Sequence, residues 1–299
     1  MNKSVTIVTH SGSFHSDDVF AVAALSMHLR QLGATAIEIV RSRDPEVITE
    51  ADYVLDVGGV YDPAAGRFDH HQEEGAGQRE NGIPYAAFGL VWQEVGKDLC
   101  ADDQSVADML DQKLVQAIDG PDNGVSLTGP AEIEGAYPYF LGSAVNIFRP
   151  TWREESDQTD EIFFELVEWA TVLLKREITV AGDRAAGARQ VETAYQAASD
   201  KRLIWLKQSL PHRSTLLQHP EPLFVVYPKD SGRWRLRAVI EDNFEPRATL
   251  PENWRGKRGK ALQEATGVDS AVFCHASLPM IVTTSKEGIE KLAQIALDQ

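Results

Sequence analysis

The chain of 299 residues is 43% apolar and 25% charged, a mixture that suits a soluble globular protein and excludes disordered, fibrous and collagen-like classes. Its net charge of −16 opposes nonspecific adhesion to a phosphate backbone, and no run of about 18 uncharged apolar residues offers a membrane span. Cys100 and Cys274 lie far apart without Cys-x-x-Cys spacing, so neither a disulfide framework nor a thiolate zinc site is expected; with no secretory leader at the start, the expected compartment is the cytoplasm.

In chain order, VTIVT (5–9) reads as a buried strand. The apolar stretch from Val19 to Leu32, behind Asp17 and Asp18, reads as a helix with an aspartate at its N-cap. AIEIV (36–40) is a second strand, Asp44-Pro45 opens a short helix, and YVLDV (53–57) is a third strand. Strand, helix, strand, helix, strand implies a parallel sheet. Phe88, Val91, Trp92, Val95 and Leu99 fall at helical spacing, as do Val106, Met109, Leu110, Leu114, Ala117 and Ile118, and both helices are expected to cover sheet faces.

From Asp160 to about Arg202 the residues favour one or two long connecting helices, with Gly182 and Gly187 as weak interruptions. Beyond them LFVVY (223–227), the turn PKDSG and RWRLRAV (233–239) predict a hairpin, AVFCHA (271–276) a further strand, and Ser285 caps a last helix with Ile289, Leu292 and Ala296 on one face. Residues 1–202 hold 16 basic and 34 acidic side chains, whereas residues 203–299 hold 13 and 11, which places a boundary near residue 200. The expected fold class is α/β: a parallel-sheet N-terminal domain (1–202, including the connecting helices) and a smaller mixed α+β C-terminal domain (203–299).

The segment FDHHQ (68–72) sets Asp69, His70 and His71 side by side. His10 follows the first predicted strand, with His15 and Asp17 in the same loop, and Asp56 ends the third. In open parallel sheets the loops at the carboxyl ends of the strands form the binding crevice, so these residues are expected on one rim. Asp119 and Asp122 end a predicted helix in AIDGPDNG, and the choice between them stays open. Any one of these side chains alone would be read as a hydrogen-bonded structural histidine, a helix cap or a turn former. Together they point to a cation, because converging carboxylates and imidazoles otherwise repel or desolvate one another. Mixed nitrogen and oxygen donors without thiolate suit Mn²⁺, Co²⁺ or Zn²⁺, with Mg²⁺ also compatible. Several carboxylates with several histidines suggest two ions, which can clamp a phosphoryl oxygen and activate water for phosphoester hydrolysis, with Asp56, His70 and His71 as the catalytic candidates.

THSGSFHSDD, RSRDP, DVGGVYDPAAGRFDHHQ, AIDGPDNG, WRGKRGKAL and FCHAS, in that order over nearly the whole chain, closely resemble the melanocyte proliferating gene one family, a branch related to the DHH phosphoesterases. The resemblance implies a two-metal phosphoesterase with 3′-to-5′ exonuclease action on RNA. It matches His10, His15, Asp17, Asp56, Asp69, His70 and His71 to the family's ligand positions. The wider superfamily has an aspartate where His15 stands, with one residue less between it and the first histidine.

On the substrate side, Arg41 and Arg43 follow the second strand on the same rim and offer guanidinium groups to a phosphate. Arg233, Arg235 and Arg237 alternate with apolar residues, giving one strand a basic face that can track a phosphate backbone, with Arg255 and its basic neighbours beside it in sequence and His275 at a strand end. These features predict a metal-dependent phosphodiesterase acting from an end of single-stranded RNA or short oligonucleotides, with no membrane partner. Homodimerisation stays open. Two rivals share the same residues: a hydrolase of small nucleotides or phosphorylated metabolites, and a metal- or nucleotide-binding protein without turnover.

Overall fold

In a computed structural model that describes residues 4–129, 133–154, 157–276 and 280–299, the first strand, β1 (Ser4–Thr9), buries Val5, Ile7 and Val8. Two compact units form, residues Met1–Gly182 and Asp183–Gln299.

In the first unit β1 pairs in parallel with β2 (Ala36–Arg41) and with β3 (Tyr53–Leu55). Two short strands complete the sheet: β4 (Tyr61–Asp62) and β5 (Arg67–Phe68), in the order β2-β1-β3-β5-β4. β5 runs parallel to β3 and only β4 is antiparallel, so Phe68 ends a strand at the same rim as Thr9 and Leu55. The sequence pattern missed this hairpin because two-residue strands carry no periodicity.

Helix α1 (Ser16–Gln31) is apolar on every side and buried from Asp17 to Met27. Its N-cap is His15 rather than an aspartate, and the Asp18 carboxylate reaches back to accept from the His15 amide at 2.9 Å. Helix α2 (Pro45–Glu50) is capped by Asp44, which accepts from the Glu46 amide at 2.9 Å. Helix α3 (Ala87–Leu99) packs on α1, with Phe88 and Phe20 ring centroids 5.5 Å apart, and also meets β5. The second predicted helix is split into α4 (Gln104–Leu110), a π turn (Asp111–Val115) and α5 (Gln116–Asp122). Its packing partners are α3 and α1 rather than the sheet face expected for it. After α6 (Leu141–Asn146) comes α7 (Thr159–Ala197), one helix that passes through both Gly182 and Gly187; the division between the units falls inside it.

The second unit holds a mostly antiparallel sheet of β6 (Leu203–Trp205), β7 (Phe224–Pro228), β8 (Trp234–Ala238), β9 (Ala271–Cys274) and β10 (Met280–Thr283), in the order β6-β7-β8-β10-β9. Between these strands lie α8 (Arg213–Leu216) and α9 (Gly259–Thr266). The expected hairpin is β7 and β8, and the last helix, α10 (Lys286–Leu297), is capped by Ser285 accepting from the Gly288 amide at 3.0 Å. Leu236 and Ala238 are buried in the core beneath the sheet, while Arg235 and Arg237 alternate with them and so share the opposite face. Ser277 of FCHAS lies outside the described residues. The fold is thus mixed α/β, with a mostly parallel N-terminal sheet and a mostly antiparallel C-terminal one. Among the described residues no helix is long and apolar enough to cross a membrane.

Candidate metal centre

Three strand ends and two helix ends converge. His10 follows β1, Asp56 follows β3, and Asp69, His70 and His71 follow β5. Asp17 lies in the first turn of α1, and Asp122 is the last residue of α5. Helix α5 continues through Gly120 and Pro121 to Asp122, so the turn expected in AIDGPDNG begins only at Asn123.

Asp56 is the pivot. It adopts a left-handed backbone (φ 56°), a conformation that costs energy for most side chains but is tolerated best by Asp and Asn. One carboxylate oxygen lies 3.2 Å from His10 Nε2; the other lies 3.2 Å from His70 Nε2 and 3.4 Å from His71 Nδ1. His70 Nε2 is also 3.4 Å from an Asp122 oxygen and 3.8 Å from Asp17. Three donor sets each gather within 4.8 Å: His10, His15 and Asp56; Asp56, His70 and His71; His15, Asp17 and Asp122.

Whether these residues fit a cation can be judged from their unmet needs. Both oxygens of fully buried Asp17, one each of Asp18 and Asp56, and His70 Nε2 have no hydrogen-bond partner. The 3.2 Å approach of His70 to Asp56 therefore brings charge attraction without hydrogen-bond alignment. Burial, followed by the charges of Asp56, Asp122 and Asp18, pushes the Asp17 carboxyl well above its usual range. Burial also raises Asp18, although His10 pulls it back. Asp56 moves the other way: burial opposes ionisation, but His10 and His70 outweigh it and lower its pKa. Buried, like-charged oxygen donors beside imidazole nitrogens form a donor set that a divalent cation satisfies.

Burial alone would lower the pKa of His10, yet Asp18 and Asp56 outweigh it and raise it to about 10. His70 is raised for the same reason, chiefly by Asp56. In the metal-free protein the His10 interactions therefore stabilise the fold fully below its ordinary value of 6.5 and are lost as pH rises through about 10. Ligation needs neutral imidazole, so metal loading should release protons. Indicator dye in weak buffer at neutral pH should register that release. The apparent metal affinity should rise roughly tenfold per pH unit for each proton displaced. Affinity that is flat with pH would exclude these imidazoles as ligands.

The remaining sequence candidates divide by their partners. Asp69 is buried but its carboxylate is committed elsewhere: it accepts from the Gly59 amide at 2.5 Å, the His71 amide at 3.1 Å and contacts His71 Nδ1 at 2.8 Å. It stands behind His71, an arrangement that fixes the orientation of an imidazole. Asp119 points away from the cluster, accepting from Arg79 Nη2 at 2.9 Å and the Gly89 amide at 3.1 Å. A Cβ on Gly89 would lie 1.8 Å from an Asp119 oxygen, so only glycine permits this approach. Of the two aspartates left open, Asp122 is the one that lies beside the cluster. Arg41 is also committed, donating to Asp160 at 2.5 Å and to the Gly12 carbonyl at 2.7 Å. Arg43 donates to the Ser11 carbonyl at 3.2 Å and is otherwise exposed.

In the second unit Arg235 is half-buried beside Tyr227, with Nη1 3.4 Å from the phenol oxygen, and Arg237 lies on the same face. Arg255 pairs with Glu252 at 3.4 Å, and the His275 ring meets Phe273 edge-on at 5.9 Å. Sequence reasoning missed two residues of the first unit. Asp18, with Asp17 one of two aspartates that could cap the first helix, has that adjacency as its only signal; Arg149, whose charge environment includes Asp18, Asp122 and Asp17, has none.

The fold and site define a class: an α/β protein whose mostly parallel sheet carries, at its carboxyl rim, His/Asp groups that can hold a metal ion. A family model named MYG1_exonuc, described as an uncharacterised protein family (UPF0160), matches residues 6–297. The mouse MYG1 exonuclease is 31% identical, with 98% of this chain and 85% of that one aligned. An MYG1 protein of Schizosaccharomyces pombe is 31% identical over 100% of this chain and 99% of that one, and one from Chlamydia trachomatis 32% over 98% and 97%. The chain belongs to the MYG1 family, the one its motifs resemble. A solved structure of an uncharacterised protein from Helicobacter pylori G27 covers 99% of the chain at 12% identity and a TM-score of 0.30, too distant to carry an argument.

Proposed function

We propose that this protein is a metal-dependent phosphodiesterase, a 3′-to-5′ exonuclease on single-stranded RNA or short oligonucleotides, working with two divalent ions, Mn²⁺ first among them. The observation that carries this reading is the sharing of Asp56 between two three-residue donor sets, one with His10 and His15 and the other with His70 and His71. A carboxylate in that position can serve two ions at once. The names of the mammalian relatives, MYG1 exonuclease, support the reaction class, and a relation to the DHH phosphoesterases accords with the Asp69-His70-His71 triplet.

Divalent ions in such a site supply Lewis-acid polarisation of a phosphoryl oxygen and lower the pKa of water. The chain supplies the rest. His10, His15, Asp17, Asp56, His70, His71 and Asp122 are the proposed ligands. Asp69 orients His71 through Nδ1, and Asp18 lies 3.2 Å from the same His10 Nε2 that faces Asp56, adding negative charge beside that imidazole. Arg235 and Arg237 are proposed phosphate contacts in the second unit, with Arg43, Arg255 and His275 as further candidates. Asp119 and Arg41 are set aside, because the Asp119 oxygens are held by Arg79 and the Gly89 amide and the Arg41 Nη atoms by Asp160 and Gly12.

Stripping divalent ions with a chelator, then restoring them singly, tests the reading. Metal-free protein should degrade neither a labelled RNA oligomer nor a small chromogenic phosphodiester, and Mn²⁺ should restore both. Shortening from the 3′ end would establish direction, cleavage confined to dinucleotides would favour the small-nucleotide hydrolase, and intact ligand after prolonged incubation would favour binding without turnover.

A further inference from the structure

The stretch IEGAYPYFLGSAVNIFRPTWR (133–153) has no place in the mechanism above, yet it is where the first unit leaves its aromatic surface uncovered. Tyr137 is 84% exposed, Tyr139 72% and Trp152 86%, and Phe148 is exposed as well. Helix α6 inside the stretch has six residues and buries only Val145. Soluble proteins rarely leave so many large apolar side chains in water without an interaction to serve.

Two observations tie this stretch to the metal cluster and to an anionic, aromatic ligand. First, α6 packs against α1 and α5, the helices that carry Asp17 and Asp122; a Cβ on Gly142 would lie 3.4 Å from Ser16 Oγ. Second, the aromatics are interleaved with arginines. Arg153 stacks on Trp152, its guanidinium carbon 4.5 Å from the ring centroid. The Arg149 guanidinium carbon lies 5.9 Å from the ring of buried Phe14, the residue before His15. Arg149 Nε is buried without a hydrogen-bond partner, as is Nε of Arg41 on the same Phe14 ring, but Arg41 is held through its Nη atoms by Asp160 and Gly12. With Nε unpartnered and its guanidinium beside Phe14, next to the His15 loop, Arg149 is placed for an anion arriving from outside. Flat aromatic faces exposed along the same stretch suit unstacked bases, which every nucleotide presents.

We propose that residues 137–153 form the single-strand platform of the metal site: Tyr137, Tyr139 and Trp152 stack successive bases, and Arg149 and Arg153 grip phosphates. This rests on the phosphodiesterase reading and names a substrate-binding surface in the first unit, in addition to the phosphate contacts proposed on the basic strand of the second. Base stacking on aromatics is indifferent to sequence, so binding should show little base preference.

The test is binding, separate from turnover. A fluorescein-labelled, phosphorothioate-linked single-stranded oligomer is titrated with full-length protein in Mn²⁺ and followed by anisotropy. Trp152→Ala should weaken binding roughly 5- to 100-fold, and Trp152→Phe should restore most of it, since the stacking face remains. Arg149→Gln should weaken binding and flatten the dependence on salt by roughly 0.7 of a unit in log–log slope. Bound metal, measured by elemental analysis, should be unchanged in Trp152→Ala, and exchange of exposed Val172 for Ala should leave affinity as it was. Unchanged affinity in both Trp152→Ala and Arg149→Gln would overturn the inference. So would a shift from dimer to monomer in sedimentation with oligomer affinity intact, which would make the aromatics an interface between copies. Protein that hydrolyses no ester with any metal, yet binds the oligomer through Trp152, would refute the enzymatic reading and leave the platform standing.

Discussion

Asp56→Asn is expected to lower phosphodiester hydrolysis by at least about a thousandfold, a loss of about 4 kcal/mol of transition-state stabilisation, with the fold unchanged by circular dichroism. Asparagine has the same shape and, like aspartate, tolerates the left-handed backbone at φ 56°, so the substitution removes charge without adding strain. What it removes is central. His10 and His70 each face one oxygen of this carboxylate at 3.2 Å, and the two donor sets that share Asp56 would each lose their only carboxylate. Metal content by elemental analysis should fall with activity. Near wild-type hydrolysis by well-folded Asp56→Asn would show that the reacting phosphate is bound elsewhere.

The second large effect separates two aspartates three residues apart. Asp122→Asn should cost activity and metal retention while leaving thermal stability close to wild type, because Asp122 is half-buried at a helix end and faces His70 and the donor set of His15 and Asp17. Asp119→Ala should do the reverse. It removes a fully buried acceptor from Arg79 and from the Gly89 amide at the start of α3, leaving Arg79 with Asp111 as its remaining carboxylate partner. Breaking a buried pair by deleting one partner costs about 3–5 kcal/mol, which for a unit of this size lowers the melting temperature by roughly 6 to 20 °C. Calorimetry beside a hydrolysis assay distinguishes them. If Asp119→Ala kept its melting temperature and lost its metal, the assignment of the two residues would have to be exchanged.

The contrast between these aspartates shows where the sequence is informative. Asp69-His70-His71, the His10 to Asp17 loop and Asp56 were legible as a cluster because polar side chains of metal-ligand type crowd the ends of apolar strands. A parallel sheet brings the carboxyl ends of its strands to one rim. The helices of the first unit were legible for a similar local reason: the spacing of Phe88, Val91, Trp92, Val95 and Leu99 survives into α3. The strands β4, β5 and β10 were not, since two to four residues carry too little periodicity to distinguish a strand from a loop.

What the sequence by itself determined is the inventory: which side chains can bind a metal, and on which strand ends and loops they sit. What only the tertiary structure decided is where each polar group finds its partner. Asp119 and Asp122 are equivalent in AIDGPDNG, and long-range contacts with Arg79 and with His70 part them. Arg41 reads as a phosphate ligand until Asp160, 119 residues away, is found holding it, whereas Arg149 gives no signal until its environment of Asp17, Asp18 and Asp122 is seen. Hydrogen bonds and ion pairs are directional and short in range, so a residue's free or committed state depends on neighbours that pattern along the chain does not encode.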